Sequence, residues 1–151
     1  MAQRVCLALL ILVLGLASMA WAQAEEEVAR VIAERIKAFN EGNLQGFMAT
    51  WADNAVWTPA GSPFRVEGKE AIQRAYAGFF QSFPTRVYVP RQRSIRVYGT
   101  TVVSNTYFTL TLVDRAGKAT TQHGRLSVTF VKLGDRWLSV DQHVSLVPPS
   151  P

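Results

Sequence analysis

The sequence predicts an α+β domain in which helices come first and an antiparallel sheet follows. Apolar residues recur at steps of three and four from Val28 to Phe39, and again from Ile72 to Phe83. After Pro84 the period changes to two and holds to Val147. Gly99-Thr100, Asp114-Arg115-Ala116-Gly117 and Gly134-Asp135-Arg136 punctuate that second half as hairpin turns.

The N-terminal segment stands apart from this domain. Arg4 and the free amine form a short positive region, and Val5 to Leu16 is almost wholly apolar. Ala17-Ser18-Met19-Ala20-Trp21-Ala22 then supplies the small residues of an export cleavage site, with cuts before Gln23 or before Glu25 both fitting the pattern. An uncleaved membrane anchor is the alternative, but the run is short for a span and Glu25-Glu26-Glu27 follows it directly. The expected organisation is a signal peptide over 1–22, one domain over 23–147 and a tail over 148–151. The expected location is periplasmic or secreted, with no membrane association after cleavage. The single cysteine, Cys6, would leave with the signal, so the mature chain has no disulfide, thiolate nucleophile or cysteine metal ligand.

Within the domain, Val28, Val31, Ile32, Ile36 and Phe39 mark an amphipathic helix from about Glu25 to Glu41, its acidic start suited to the helix dipole and Gly42 ending it. Leu44, Phe47, Met48 and Trp51 mark a second, shorter helix. Ala55 to Thr58 reads as a short strand, Pro59 to Pro63 as a turn and Phe64 to Val66 as another short strand. A third helix runs from about Lys69 to Ser82 with Ile72, Ala75, Tyr76, Phe79, Phe80 and Phe83 on its apolar face. Four longer strands follow: Arg86 to Tyr98 with a bulge at Pro90, Thr101 to Val113, Ala119 to Leu133 and Trp137 to Val147.

Alternation assigns the faces of these strands. Phe108, Leu110 and Leu112, then Leu126, Val128 and Phe130, then Leu138, Val140, Gln142, Val144 and Leu146 are expected to meet the helices. Tyr107, Thr109, Arg125, Ser127, Thr129, Ser139, Asp141, His143 and Ser145 are expected to face water or a second subunit, with Val131 and Trp137 interrupting that polar face. Tyr107, Arg125, Asp141 and His143 are the candidate homodimer contacts.

The composition excludes several function classes. The chain has 151 residues, 48% of them hydrophobic and 18% charged, which is a globular balance with room for one domain. The net charge of +5 comes largely from Arg86, Arg91, Arg93 and Arg96. These alternate with Val87, Val89 and Ile95, so they read as the solvent face of one strand, and no nucleic-acid motif accompanies them. His123 and His143 are the only histidines, and no acid joins them at ligand spacing, so neither a metal nor a cofactor is expected. No nucleophile elbow and no glycine-rich phosphate loop is present.

Helix, glycine turn and helix, then Trp51-Ala52-Asp53-Asn54-Ala55-Val56, Pro59-Ala60-Gly61 and Glu67-Gly68-Lys69-Glu70-Ala71-Ile72, resemble the nuclear transport factor 2-like superfamily. The ending from Gly134 to Ser145, with Asp135-Arg136-Trp137 inside it, is similar to the SnoaL-like branch and to the association domain of calcium/calmodulin-dependent kinase. The resemblance implies a cone: three helices on a strongly curved antiparallel sheet, with a pocket between them. Ketosteroid isomerases, limonene epoxide hydrolases and polyketide cyclases of this superfamily work in that pocket with carboxylates. Here Thr58 stands where the isomerase has its proton-shuttling Asp, and the isomerase's three pocket tyrosines fall at Arg35, Trp51 and Tyr76. The kinase domain's pocket arginines fall at Phe108, Val128 and Val144. With these residues replaced neither chemistry carries over, and a fold of this kind hosts enzymes, binders and assembly modules alike.

Arg35 is the residue that singles out a site. It falls inside the apolar face of the first helix, among Val28, Val31, Ile32 and Phe39. It must reach the rim, pair with an acid such as Asp53 or Glu67, or point into a wet pocket. The expected binding set is Arg35, Phe47, Trp51, Thr58, Tyr76, Phe80, Phe108, Val128, Gln142 and Val144, enclosing a small, largely apolar ligand with a polar or acidic group. Asp141 and His143, two apart on one strand, are the only catalytic candidates, and the polar face is the plainer reason for them. The alternatives are a lyase-, isomerase- or hydrolase-type enzyme using the same pocket, or a structural assembly module.

Overall fold

The computed structural model describes residues 2–148, with side chains from Met19 onward. The elements are α1 (Ala2–Glu41), α2 (Leu44–Met48), β1 (Trp51–Thr58), β2 (Val66–Glu67), α3 (Lys69–Ser82), β3 (Thr85–Tyr98), β4 (Thr101–Val113), β5 (Ala119–Leu133) and β6 (Arg136–Leu146). The six strands form one sheet in the order β2-β1-β6-β5-β4-β3. Every pairing is antiparallel except β1 with β6, which brings the N-terminal half against the end of the chain.

The bounds of several elements differ from those read in the sequence. The first helix begins at Ala2 and not near Glu25, because the Leu- and Ala-rich segment is itself helix-forming and no proline separates it from Glu25. In the full chain the acidic triplet therefore lies within α1 and not at its first turn. β1 begins at Trp51, recruited by pairing with β6. The strand expected over Phe64 to Val66 is Val66–Glu67, and Phe64 is 77% exposed in the loop before it. Most of the expected signal peptide's side chains, and residues 149–151 of the tail, lie outside the described residues. Among those that are described, no helix is long and apolar enough to cross a membrane.

Two bulges set the curvature and overturn parts of the face assignment. On β3, Arg91 and Gln92 stand against Tyr107 alone, so the strand gains one residue between Pro90 and Arg93. Before this bulge Arg86, Tyr88 and Pro90 are the inward set, and after it Arg93, Ile95 and Val97 are, as their partners Phe108, Thr106, Ser104 and Val102 show. Arg86 is thus buried and Val87 exposed, the reverse of a solvent-facing arginine row. On β6, Val140 is the extra residue between Ser139 and Asp141. Trp137 and Ser139 consequently turn inward beside Phe130, while Leu138 and Val140 leave the inner row and pack beside β1.

Two apolar clusters hold the helices on the sheet. One gathers Phe47, Met48, Trp51, Ile72 and Tyr76 where α2, α3 and β1 meet. The other gathers Val28 and Ile32 of α1 with Val102, Val128, Phe130 and Trp137 of the sheet. Polar ties supplement them. The Glu27 carboxylate accepts from Lys132 Nζ at 2.9 Å and from Trp137 Nε1 at 2.8 Å, which holds its pKa down at about 2. Asn40 Oδ1 accepts from Tyr88 N at 2.7 Å and its amide donates to Tyr88 O at 3.2 Å, so the side chain pairs with β3 as a strand would. Arg86 donates to the carbonyls of Phe39, Phe80 and Phe83, at the C-terminal ends of α1 and α3, where the helix dipoles favour a cation.

Candidate functional site

A cavity of about 370 Å³ lies between α1, α3 and the concave face of the sheet. Aromatic and aliphatic side chains make most of its wall, with Phe39, Phe47, Trp57, Tyr76, Tyr88 and Phe108 prominent among them. Among the described residues no Asp, Glu or His lines it.

Arg35 is 6% exposed and contributes its guanidinium to this wall. Among the described residues no carboxylate pairs with it. Of the acids expected as partners, Asp53 is fully exposed 3.8 Å from Lys69, and Glu67 pairs with Arg65 at 2.5 Å. Arg35 donates instead to two neutral oxygens, Thr50 Oγ1 at 3.0 Å and Gln142 Oε1. Its guanidinium carbon lies 4.3 Å from the centre of the Trp51 ring and 4.7 Å from that of Phe47. Burial pushes its pKa down to about 10, so the group remains charged at neutral pH in a setting that opposes the charge.

Gln142 continues the polar strip, donating from Nε2 to Tyr76 Oη at 2.9 Å. Burial raises the Tyr76 and Tyr88 phenols to about 12, so both are protonated at neutral pH. Phe47 and Trp57 clamp the Tyr76 ring at 4.6 and 4.5 Å between centroids. Tyr88 stacks on Phe108 at 5.0 Å. Phe108 in turn lies over Gly124, where a Cβ would collide with its Cζ and stand 2.7 Å from its Cε1.

Seven of the expected binding residues meet around the cavity: Arg35, Phe47, Tyr76, Phe108, Val128, Gln142 and Val144. Trp51 and Phe80 stand behind the wall, Trp51 under Arg35 and Phe80 under Arg86 at 4.1 Å. Thr58 is elsewhere. The register pairs it with His143 on the outer face and gives the inward position to Trp57, opposite Gln142. Asp141 and His143 are exposed on that outer face and do not reach the cavity. Tyr107 and Arg125 share the face, with the Arg125 guanidinium 5.5 Å from the Tyr107 ring centre.

The sequence reading missed Ser104, Thr106 and Tyr88. The two hydroxyls have the same strand parity as Phe108, Leu110 and Leu112, so extending that row would have found them. Tyr88 was hidden by the wrong phase given to β3, where it shares a side with the buried Arg86.

The comparisons with known proteins agree with this geometry. The SnoaL-like domain family matches residues 28–149. No curated protein matches the sequence. A nuclear transport factor 2-like protein of Pseudomonas putida superposes with a TM-score of 0.74 at 19% identity, over 82% of this chain and 87% of that one. A Caulobacter vibrioides protein with a cystatin-like fold gives 0.72 at 16%, over 82% and 89%. A Catenulispora acidiphila protein in complex with S-DNPA gives 0.71 at 21%, over 83% and 94%. At these identities the solved structures establish the fold alone. The family match, covering nearly all of the chain that builds the cone, assigns this protein to the SnoaL-like domain family.

Proposed function

We propose that the protein binds a small, largely apolar molecule carrying an acidic group, with Arg35 facing the acid. The observation that carries this reading is a buried guanidinium, without a carboxylate partner among the described residues, in the wall of a largely apolar cavity. A desolvated cation of this kind gains most from an anion delivered to it, and a guanidinium suits a carboxylate in shape and in donors. The S-DNPA complex of the Catenulispora acidiphila protein is in keeping with binding as a use of this fold. Binding fits the site better than proton-transfer catalysis, because the wall holds no Asp, Glu or His among the described residues. Arg35→Met keeps the bulk and removes the charge. It should abolish retention of an acidic molecule that copurifies with the wild type, read by native mass spectrometry. Unchanged retention would refute the assignment.

We further propose that the mature protein is exported after cleavage near Ala22, and that it forms a homodimer through the outer face of the sheet. Support for export is the order of charged, apolar and small residues at the N-terminus. A protein retaining Met1, found in the cytosol of its native host by intact-mass analysis, would refute it. Support for the dimer is a face where Tyr107 is 47% exposed beside Arg125, Asp141 and His143. Sedimentation should show a dimer at micromolar concentration that Arg125→Glu weakens, and a monomeric wild type would refute it.

A further inference from the structure

The hydrogen-bond order around Gln142 is fixed by elementary chemistry. Arg35 can only donate, so the Gln142 atom facing its Nη2 is the carboxamide oxygen. The amide nitrogen then faces Tyr76, and the phenol oxygen accepts from it at 2.9 Å. The phenol's own hydrogen must go elsewhere, and among the described residues no protein group accepts it. The ring cannot swing away, being buried between Trp57 and Phe47.

We propose that Tyr76 is a second donor to the ligand, oriented by Gln142 so that its O–H is directed into the cavity. The site then takes a carboxylate or carbonyl oxygen and discriminates against a hydroxyl in the same place. An alcohol oxygen there is a weaker acceptor than a carboxylate or carbonyl oxygen and must also place its own hydrogen, while the neighbouring Gln142 oxygen is already engaged by Arg35. The inference rests on the reading of Arg35 as the group that faces the acid, yet it concerns a different atom. The two can therefore fail separately.

Three probes sharing one ring system separate them: 1-naphthoate, 1-acetonaphthone and 1-naphthalenemethanol, titrated calorimetrically into the full chain. The wild type should bind the first two more tightly than the alcohol. Tyr76→Phe should weaken naphthoate and acetonaphthone about tenfold and the weaker-accepting alcohol by less, on the usual strength of such a bond. Gln142→Met, which removes the group orienting the phenol, should weaken the same two probes even where Tyr76→Phe folds poorly. Arg35→Met should weaken naphthoate, whose charge it faces, several-fold more than acetonaphthone. Wild-type affinity of Tyr76→Phe or Gln142→Met for acetonaphthone overturns the proposal and leaves the Arg35 reading standing. Wild-type affinity of Arg35→Met for naphthoate, with a loss in Tyr76→Phe, does the reverse. No saturable binding of either acceptor probe to the wild type overturns both.

Discussion

Removing the charge of Arg35 should cost the ligand-free protein almost nothing. The guanidinium's pKa is held at about 10 against an ordinary 12.5, a standing penalty of about 3 kcal/mol on the charged form. Arg35→Met removes that penalty. Against it stand two losses. Gln142 Oε1 loses its donor, at about 1–3 kcal/mol for a buried acceptor, and the contacts with the Trp51 and Phe47 rings lose about 1 kcal/mol each. Thr50 is little affected, because its hydroxyl still donates to the Phe47 carbonyl at 2.8 Å. A thioether against the same two rings restores about 1 kcal/mol. The gains and losses cancel to within about 1 kcal/mol, a change of only a few degrees in Tm for a chain of this size. Urea melts of the purified, ligand-free variant measure it. A loss above about 3 kcal/mol would show that Arg35 holds the fold together and would remove the physical basis for giving it a ligand.

Three further outcomes test the architecture around the site. Gly124→Ala drives a methyl against Cζ of the Phe108 ring, 2.7 Å from its Cε1 and 2.8 Å from the Ser145 carbonyl oxygen, so it should cost about 1–3 kcal/mol by overpacking and drive Phe108 into the cavity. Thermal melts and the volume of the cavity in a crystal structure report the two effects. Arg86→Met strips donors from three carbonyls at two helix ends and should lower stability by about 3 kcal/mol, near 10 °C in Tm. Glu27 has a folded pKa of about 2 against an ordinary 4.5, so on acidification the unfolded chain takes up the proton first. Its contribution is fully present above about pH 4.5 and is lost as the pH falls toward 2, so Glu27→Gln should flatten that part of a stability profile recorded in urea.

How much of this was legible in the sequence depended on whether a pattern was local. α3, β4 and β5 have the ends that their periodicity predicts, because neither bulge interrupts them internally. The phases of β3 and β6 were not legible in full. Pro90 marks a bulge, but whether one residue is inserted there depends on the partner strand, where only Tyr107 answers Arg91 and Gln92. Val140 carries no local mark at all, and its insertion becomes visible only against Thr129 and Phe130. Arg35 stood out because a cation within an apolar helical face is anomalous wherever the rest of the fold lies. Of its company, Tyr76 and Gln142 were legible as polar residues on apolar faces, whereas Thr50, in the turn before β1, is brought to Arg35 only by the closed cone.

The two buried arginines show why one is structural and the other is assigned a ligand. Both lack a carboxylate, and both lie against aromatic rings. Arg86 ends on three backbone carbonyls at the negative poles of α1 and α3, groups that the helices themselves leave without partners. Cation and helix ends satisfy one another, and nothing further is asked of either. Arg35 ends on one hydroxyl and one carboxamide, neutral groups that leave donors of the guanidinium unused toward the cavity. Its charge is carried at a cost that its contacts in the ligand-free fold do no more than offset. On the proposed reading, a buried cation kept under those terms is explained by what it binds, and a cavity with no acid among its described lining residues takes an incoming acid as the partner that completes it.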